Sequence, residues 1–439
     1  MYRVGILRPG RRSLLYCTLE EVQPGMTVAA SVMHPRRADT ELLSRGFELD
    51  GRTLKRLKQL EVRRVWVHHD AAADLDRVLD ADAGQSRRRV AAALRERFDD
   101  LSHKTLTVAS VVHMRQLVMD LLCELTANRK LAALTEQMVG FGGDLFTHGS
   151  SVAYLSIVCG LELETYVVQQ RPRLTTDRAR DLTGLGLGAM LHDIGKLPPP
   201  EEARDADRAD LTAVHAADVD FDQLLAAGDP KPALKRYLDH PRRGFNLLKD
   251  KRAPASATQV VLTHHRLYDG RGFPDVDPTG GEREGSVQQG RGIHVFSRIA
   301  AAADALDALL RRDPDRPPVA ALSDIRGERF HGWFDPVVLD TLVRRLPPFA
   351  LGSRVVLSDG RAAAVIAPSL YQPCRPTVRL LDEADRLPDG SFPTFDLRGR
   401  PEVWIAEAQG RDVTPWLFEL PEQEPLSLKA ASQPLSGAA

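Results

Sequence analysis

The chain has 439 residues, which by length allows two or three domains with a sizeable core. With 59 Lys and Arg against 60 Asp and Glu the formal net charge is −1, so no global field draws it to a nucleic-acid polymer or an anionic membrane, and phosphate binding has to be local. Hydrophobic residues make up 43% and charged residues 27%, a composition of ordered soluble proteins, and apolar runs such as Val152–Leu161 fall well short of the ~20 residues of a bilayer span.

Met1–Arg12 has no apolar run ending in a small-residue cleavage site, so no signal peptide is expected. The four cysteines, Cys17, Cys123, Cys159 and Cys374, are scattered without metal-knuckle or redox spacing, and a reducing cytoplasm is the expected compartment.

Residues 1–83 read as a small α+β module. Thr18–Met33 holds two short β-type runs around Pro24-Gly25, Leu54, Leu57 and Leu60 form a helical stripe, and Val62–Val67 alternates as a strand. Asp70–Ser86, rich in Asp and Ala, is expected to be a linker or linker helix. Residues 87–346 read as mainly helical. Leu117, Leu121, Leu122 and Leu125 recur at helical spacing, as do Leu131, Leu134 and Met138. Gly140, Gly142 and Gly143 stop that run, and Asp144 can cap the next helix, which carries His148 and ends near Leu161. Asp181–Asp193 is a further helix whose Gly184, Gly186 and Gly188 should weaken it unless a neighbour packs closely. Glu201–Asp222 holds eight acidic and two basic residues and reads as a solvated insert or lid. Helices are predicted over Pro254–Arg266 and Ile293–Arg311, with an exposed loop at Gly280–Gly292. After Pro347-Pro348 comes a small β module over 347–420, with strands at Arg354–Leu357, Ala362–Ile366, Thr377–Leu381 and Glu402–Ala406, then a disordered tail over 421–439.

The helical block concentrates ligating side chains: Asp144, His148, His192-Asp193, His240, His264-His265 and Asp304. Asp144 and His148, four apart, share a helix face. Imidazole with carboxylate suits iron, manganese, zinc or nickel. An Asp next to a His can bridge two ions, and a pair ~3.5 to 4 Å apart can clamp a phosphate during in-line displacement. His34, His103, His113, His215, His294 and His331 are read as ordinary core or surface residues, and His68-His69-Asp70 as an exposed strand end.

In order along the chain stand "THGSSVAYL" with His148, "MLHDIGKLPPP" with His192 and Asp193, "DHPRRG" with His240, "THHRLYDGRGFP" with His264 and His265, and "RIAAAADALDALL" with Asp304. The series resembles the HD superfamily of metal-dependent phosphohydrolases and, within it, the HD-GYP group, over about residues 87–346. The resemblance implies a mainly α fold, an HD-type helical bundle with the small α+β module before it and the β module after it. It implies one metal site of His148, His192, Asp193 and Asp304, and a second of Asp193, His240, His264 and His265. Asp144 stands where some members carry a Glu for a third metal; as an alternative it is a helix N-cap. Two, with room for a third, divalent transition metals, Fe or Mn, are the expected cofactors. Lys196 would contact a phosphate or the attacking hydroxide, and Asp269, Gly270, Gly272, Phe273 and Pro274 would meet the substrate. The activity implied is hydrolysis of cyclic di-GMP to pGpG or GMP by a metal-bridging hydroxide. Hydrolysis of another phosphoester, or a metal-loaded, slow signalling module, are the alternatives.

The chain departs from the family pattern at three places. Phe273 replaces a Tyr, Arg266 a Glu, and Asp313-Pro314-Asp315-Arg316 an Arg-Pro-Tyr-Lys/Arg string that grips the dinucleotide. An Asp at that position repels phosphate, and Arg311, Arg312 and Arg316 are the cations at hand to substitute. The flanks resemble accessory modules found beside HD-GYP domains. The expected partners are therefore a cyclic dinucleotide, proteins docking on the flanks and a second copy of the chain as a homodimer.

Overall fold

The computed structural model describes residues 14–35, 37–72, 75, 106–127, 145–197, 232–274, 288–313 and 315–421. Asp144, the Leu131–Met138 stripe, the acidic stretch Glu201–Asp222, most of the Asp70–Ser86 segment and of the Gly280–Gly292 loop, and the tail lie outside them. The chain divides into two units. One is built from Met1–Gly84, Asp315–Ala320 and Pro347–Pro421, the other from Gln85–Pro314, Ala321–Leu346 and Glu422–Ala439.

The first unit joins both flanks, which read in the sequence as separate modules. Strand β1 (Leu15–Thr18) pairs antiparallel with β4 (Arg64–Val67), and β2 (Val32–His34) pairs with β3 (Arg37–Leu43). The predicted runs around Pro24-Gly25 are thus displaced outward, to either side of a turn in which Gly25 takes φ +96°. Helix α1 (Gly51–Gln59) starts at Asp50, whose carboxylate accepts from the Thr53 N–H at 2.6 Å, and it buries Leu57. The C-terminal part is a six-stranded antiparallel sheet in the order β10-β9-β5-β6-β7-β8. Its strands are β5 (Arg354–Leu357), β6 (Ala362–Ala367), β7 (Thr377–Leu380), β8 (Thr394–Asp396), β9 (Ile405–Ala408) and β10 (Arg411–Asp412). The alternation of β5 buries Val355 and Leu357. The Tyr16 N–H donates to the Gly352 carbonyl at 2.7 Å, Arg354 pairs with Glu21 at 2.8 Å, and Arg379 donates to the Ala71 carbonyl at 2.8 Å. These contacts connect two stretches some three hundred residues apart.

The second unit is helical. Its described helices are α2 (Val108–Ala127), α3 (Leu145–Glu162), α4 (Glu164–Gln169), α5 (Thr176–Ala179), α6 (Thr183–Leu191), α7 (Pro232–Leu248), α8 (Ala255–Thr263), α9 (Val295–Arg312), α10 (Pro318–Ile325), whose first three residues count with the first unit, and α11 (Pro336–Arg345). Every residue of α6 is buried. Its glycines, which should weaken an isolated helix, are where its neighbours come closest. A Cβ on Gly188 would lie 2.6 Å from the Val260 Cβ and 2.8 Å from the Ala257 carbonyl of α8, and one on Gly186 would lie 2.6 Å from Val118 of α2. The propensity cost of ~1 kcal/mol per glycine is offset by burial of the facing side chains. Helix α9 packs through its alanines and starts at His294, whose Nδ1 accepts from the Phe296 N–H. Behind it, buried Arg298 bonds Asp335, the Tyr166 hydroxyl (3.0 Å) and Gln170 (2.8 Å), tying α9 to α4 and to the N-terminus of α11. Among the described residues no helix is long and apolar enough to cross a membrane.

The glycine contacts give a direct test. Gly188→Val places a branched side chain inside van der Waals distance of α8, and should lower stability in chemical denaturation by about 1–3 kcal/mol, the usual cost of overpacking. An unchanged midpoint would show that α6 and α8 can separate freely.

Candidate metal centre

The central side chains come from five places in the helical unit. His148 lies on α3, His192-Asp193 follow directly on α6, His240 lies on α7, His264-His265 follow α8, and Asp304 lies on α9. All seven are buried, with 4% exposure or less. The turn after α6 is pressed onto α7: a Cβ on Gly195 would stand 1.9 Å from the His240 carbonyl. Only glycine lets the His-Asp turn and the His240 segment approach this closely.

Asp193 is central to the cluster. Its Oδ2 lies 3.4 Å from His192 Nε2 and 3.7 Å from His148 Nε2, while Oδ1 lies 3.2 Å from His240 Nε2 and 3.9 Å from His264 Nε2. Asp304 Oδ1 closes the first side, 3.0 Å from His148 Nε2 and 3.7 Å from His192 Nε2. Two groups of potential ligand atoms result, His148, His192 and Asp193 on one side and Asp193, His240, His264 and His265 on the other, each within 4.8 Å. One carboxylate therefore faces two histidine sets, one oxygen to each.

The tautomers are set from behind. His192 Nδ1 donates to the Ala189 carbonyl at 2.7 Å, His240 Nδ1 to the Tyr237 carbonyl at 2.5 Å, and His264 Nδ1 to the Val261 carbonyl at 2.9 Å. His148 Nδ1 donates to the Asp307 carboxylate at 2.7 Å. With the proton on Nδ1, Nε2 presents a lone pair inward, which is how a metal-ligating imidazole is prepared. In that state the 3.2 Å between the Nε2 atoms of His240 and His264 brings two lone pairs together. It equals the edge between neighbouring ligands at about 2.0–2.1 Å from one transition-metal ion, roughly 3.0 to 3.4 Å.

The electrostatics agree. Burial drives His264 and His265 well below the usual histidine range, so both rings are neutral. Asp193 and Asp304 stay ionised although burial opposes it, held so by Lys196 and the histidines for Asp193 and by His148 and His192 for Asp304. Burial also opposes a proton on His148, yet hydrogen bonds to Asp304 and Asp307 push it up to about 9. The carboxylates thus favour positive charge at their centre, as a divalent cation would supply. Buried His192 Nε2, His265 Nε2 and Asp193 Oδ1 have no hydrogen-bond partner, a costly arrangement for polar atoms that a coordinated ion resolves. With a cation taking the place of the second proton on His148, the neutral imidazoles and carboxylates with inward lone pairs fit a transition metal.

The remaining sequence candidates divide. Lys196 is buried, with Nζ donating to Asp193 Oδ2 at 2.7 Å and lying 5.3 Å over the Tyr237 ring. Phe273 packs on His265, ring centroids 4.7 Å apart and nearly parallel, with Tyr237 on its edge at 5.4 Å. It is 6% exposed, so its ring supports a histidine instead of offering a face to solvent. Gly272, at φ +89°, has its Cβ position 2.0 Å from the His265 carbonyl, so the close approach that requires glycine there is to the protein's own backbone. Gly270 also has positive φ, and Asp269 bonds Arg271 at 2.8 Å. Arg266 is buried and donates to the carbonyls of Gly270 and Gly272, both at 3.0 Å, and of Gln288 at 3.3 Å. It clips the Asp269–Pro274 loop under the two histidines, work that a Glu could not do. Arg312 and Asp313 stand at the end of α9. Asp315 and Arg316 belong to the other unit, where Asp315 pairs with Arg63 and Arg316 lies over the Trp416 ring. The sequence does not single out Asp307, and it offers Arg311 only as a cation for phosphate. The i, i+3 spacing of Asp307 from Asp304, followed by Arg311 at i+4, was the available signal.

Residues 226–338, a stretch that contains His240, His264, His265 and Asp304 but not His148 or His192, match the family model described as HD domain. The chain is 28% identical over 348 residues to the cyclic di-GMP phosphodiesterase PA4108 of Pseudomonas aeruginosa, covering 73% of this chain and 74% of that protein. It is 32% identical over 167 residues to the cyclic di-GMP phosphodiesterase response regulator RpfG of Xanthomonas campestris pv. campestris, over 36% of this chain and 35% of the relative. A solved structure, Bd1817, a HDG"Y"P protein from Bdellovibrio bacteriovorus, aligns over 76% of this chain and 97% of its own at 15% identity with a TM-score of 0.41, too loose a likeness to bear on the site. The segment that matches the HD-domain model thus carries His240, His264, His265 and Asp304, and the chain around it is similar to two cyclic di-GMP phosphodiesterases.

Proposed function

We propose that the protein is a metal-dependent phosphodiesterase that hydrolyses cyclic di-GMP to linear pGpG or GMP. The observation that carries the reading is the Asp193 carboxylate facing two histidine sets, one oxygen to each. The similarity to two cyclic di-GMP phosphodiesterases supports the substrate. His148, His192, Asp193 and Asp304 would hold one divalent ion, iron or manganese, and Asp193, His240, His264 and His265 a second. Such ions lower the pKa of water and neutralise charge gathering on a phosphoryl group.

The chain's own residues do the rest. Asp193, kept ionised by Lys196 and the histidines, fixes the spacing of the two sets. Lys196 holds a positive charge at the edge of the cluster, where a phosphoryl oxygen of the substrate can take it as a partner as charge develops. Phe273 and Arg266 hold His265 and the loop beneath it. Net hydrolysis forms one phosphorus–oxygen bond from water and breaks the bond to a ribose 3′ oxygen, which leaves with a proton. The four cysteines form no disulfide, which supports a reducing cytoplasm as the place of action. A second reading, hydrolysis of another phosphoester, draws on Asp313 at the end of α9, where an anion disfavours a dianionic dinucleotide.

Purified protein loaded with iron or manganese should turn over cyclic di-GMP and lose that activity on chelation. Full metal load with no turnover of cyclic di-GMP, but turnover of another member of a cyclic and linear nucleotide panel, selects the second reading. Asp193→Ala should deplete both metal equivalents and His192→Ala at least one, read by elemental analysis; an intact load in Asp193→Ala contradicts the shared carboxylate. Lys196→Ala should lower kcat by about 10²-fold with the metal retained, the scale of one lost electrostatic contact. Loss of metal along with activity would reassign Lys196 to support of Asp193.

A further inference from the structure

The geometry points to Asp307, braced by Arg311, as a positioning residue that orients His148 and thereby sets the affinity of one metal site without disturbing the other. The inference rests on the metal-centre reading above.

His192, His240 and His264 anchor Nδ1 on carbonyls of their own helices. His148 anchors it on a side chain from a different helix, Asp307 Oδ2 at 2.7 Å. Asp304 and Asp307 are one turn apart on α9, so their carboxylates take opposite nitrogens of one imidazole: Asp304 lies 3.0 Å from Nε2 and Asp307 2.7 Å from Nδ1. Asp307 is fully buried. Its charge is met by the Arg311 guanidinium, bonded to the same Oδ2 from the next turn. Arg311 also donates to Ser151 Oγ at 2.9 Å, three residues beyond His148 on α3. His148, Asp307, Arg311 and Ser151 thus form a closed link between α3 and α9. A carboxylate acceptor draws more electron density onto the imidazole than a carbonyl does, making Nε2 a stronger donor, and it prevents the ring from flipping. Because Arg311 neutralises it, Asp307 does this without adding net negative charge to the site.

The test compares the full-length wild type with Asp307→Asn, Arg311→Lys and His148→Ala, titrating metal-free protein with Mn2+ and recording ring nitrogen shifts by 15N NMR. Asp307→Asn should weaken one class of site by roughly 10- to 100-fold, leave the other unchanged, and shift the His148 Nδ1 resonance, since a neutral amide replaces the charged acceptor. Arg311→Lys, which keeps the charge but loses the fork, should weaken the same class by a smaller factor, and it stands in if Asp307→Asn does not fold. Unchanged affinity in Asp307→Asn, or in Arg311→Lys if only that variant folds, overturns the inference while His148→Ala still loses one equivalent. Loss of both classes together in Asp307→Asn overturns it too, since Asp307 would then be a general core support. A full metal load in His148→Ala would instead overturn the metal-centre reading itself.

Discussion

A single buried carboxylate, Asp193, organises the helical unit. An ionised carboxylate away from water is costly unless positive or hydrogen-bonding groups surround it, and here they come from four directions. Lys196 contacts one oxygen, His192 and His148 lie on that same side, and His240 and His264 lie on the other. No short segment could supply them all, because a helix directs neighbours one turn apart to one side only. The bundle brings α3, α7, α8 and α9 around the turn after α6, and that convergence positions the residues proposed for the chemistry.

Around this centre the histidines are held from behind. Three use the carbonyls of their own helices, which needs no further side chain and makes the tautomer a product of helical geometry. His148 depends on a carboxylate from α9, so its orientation depends on the packing of α3 against α9. His265 is held differently again, with the Phe273 ring stacked on it and the loop beneath clipped by Arg266. The loop that resembles a substrate-binding motif is thus also a mechanical part of the centre, and replacing Glu by Arg at 266 changes how that loop is tied.

The buried His/Asp cluster was legible in the sequence because residue type and order carry it. His192-Asp193, His240, His264-His265 and Asp304 are chemically distinctive, and their succession by itself resembles the HD series. Helices α2, α3, α6, α8 and α9 and most β strands were legible too, from apolar periodicity, with ends moved by a few residues: the Asp181–Asp193 helix is Thr183–Leu191, and the Glu402–Ala406 strand is Ile405–Ala408. Local pattern does not decide where an element frays.

What only the tertiary structure decided are relations between distant residues. The division of Asp193 between two histidine sets, the grip of Asp307 on His148, the burial of Phe273 against His265 and the clip formed by Arg266 all depend on how helices cross. So does the single unit formed by both flanks, made through Tyr16 with Gly352, Glu21 with Arg354 and Ala71 with Arg379. Sequence by itself determined which donors the chain carries and in what order. Packing decided which atoms face one another, because close-packed side chains and glycine contacts such as that of Gly195 with the His240 carbonyl fix distances that no local propensity encodes.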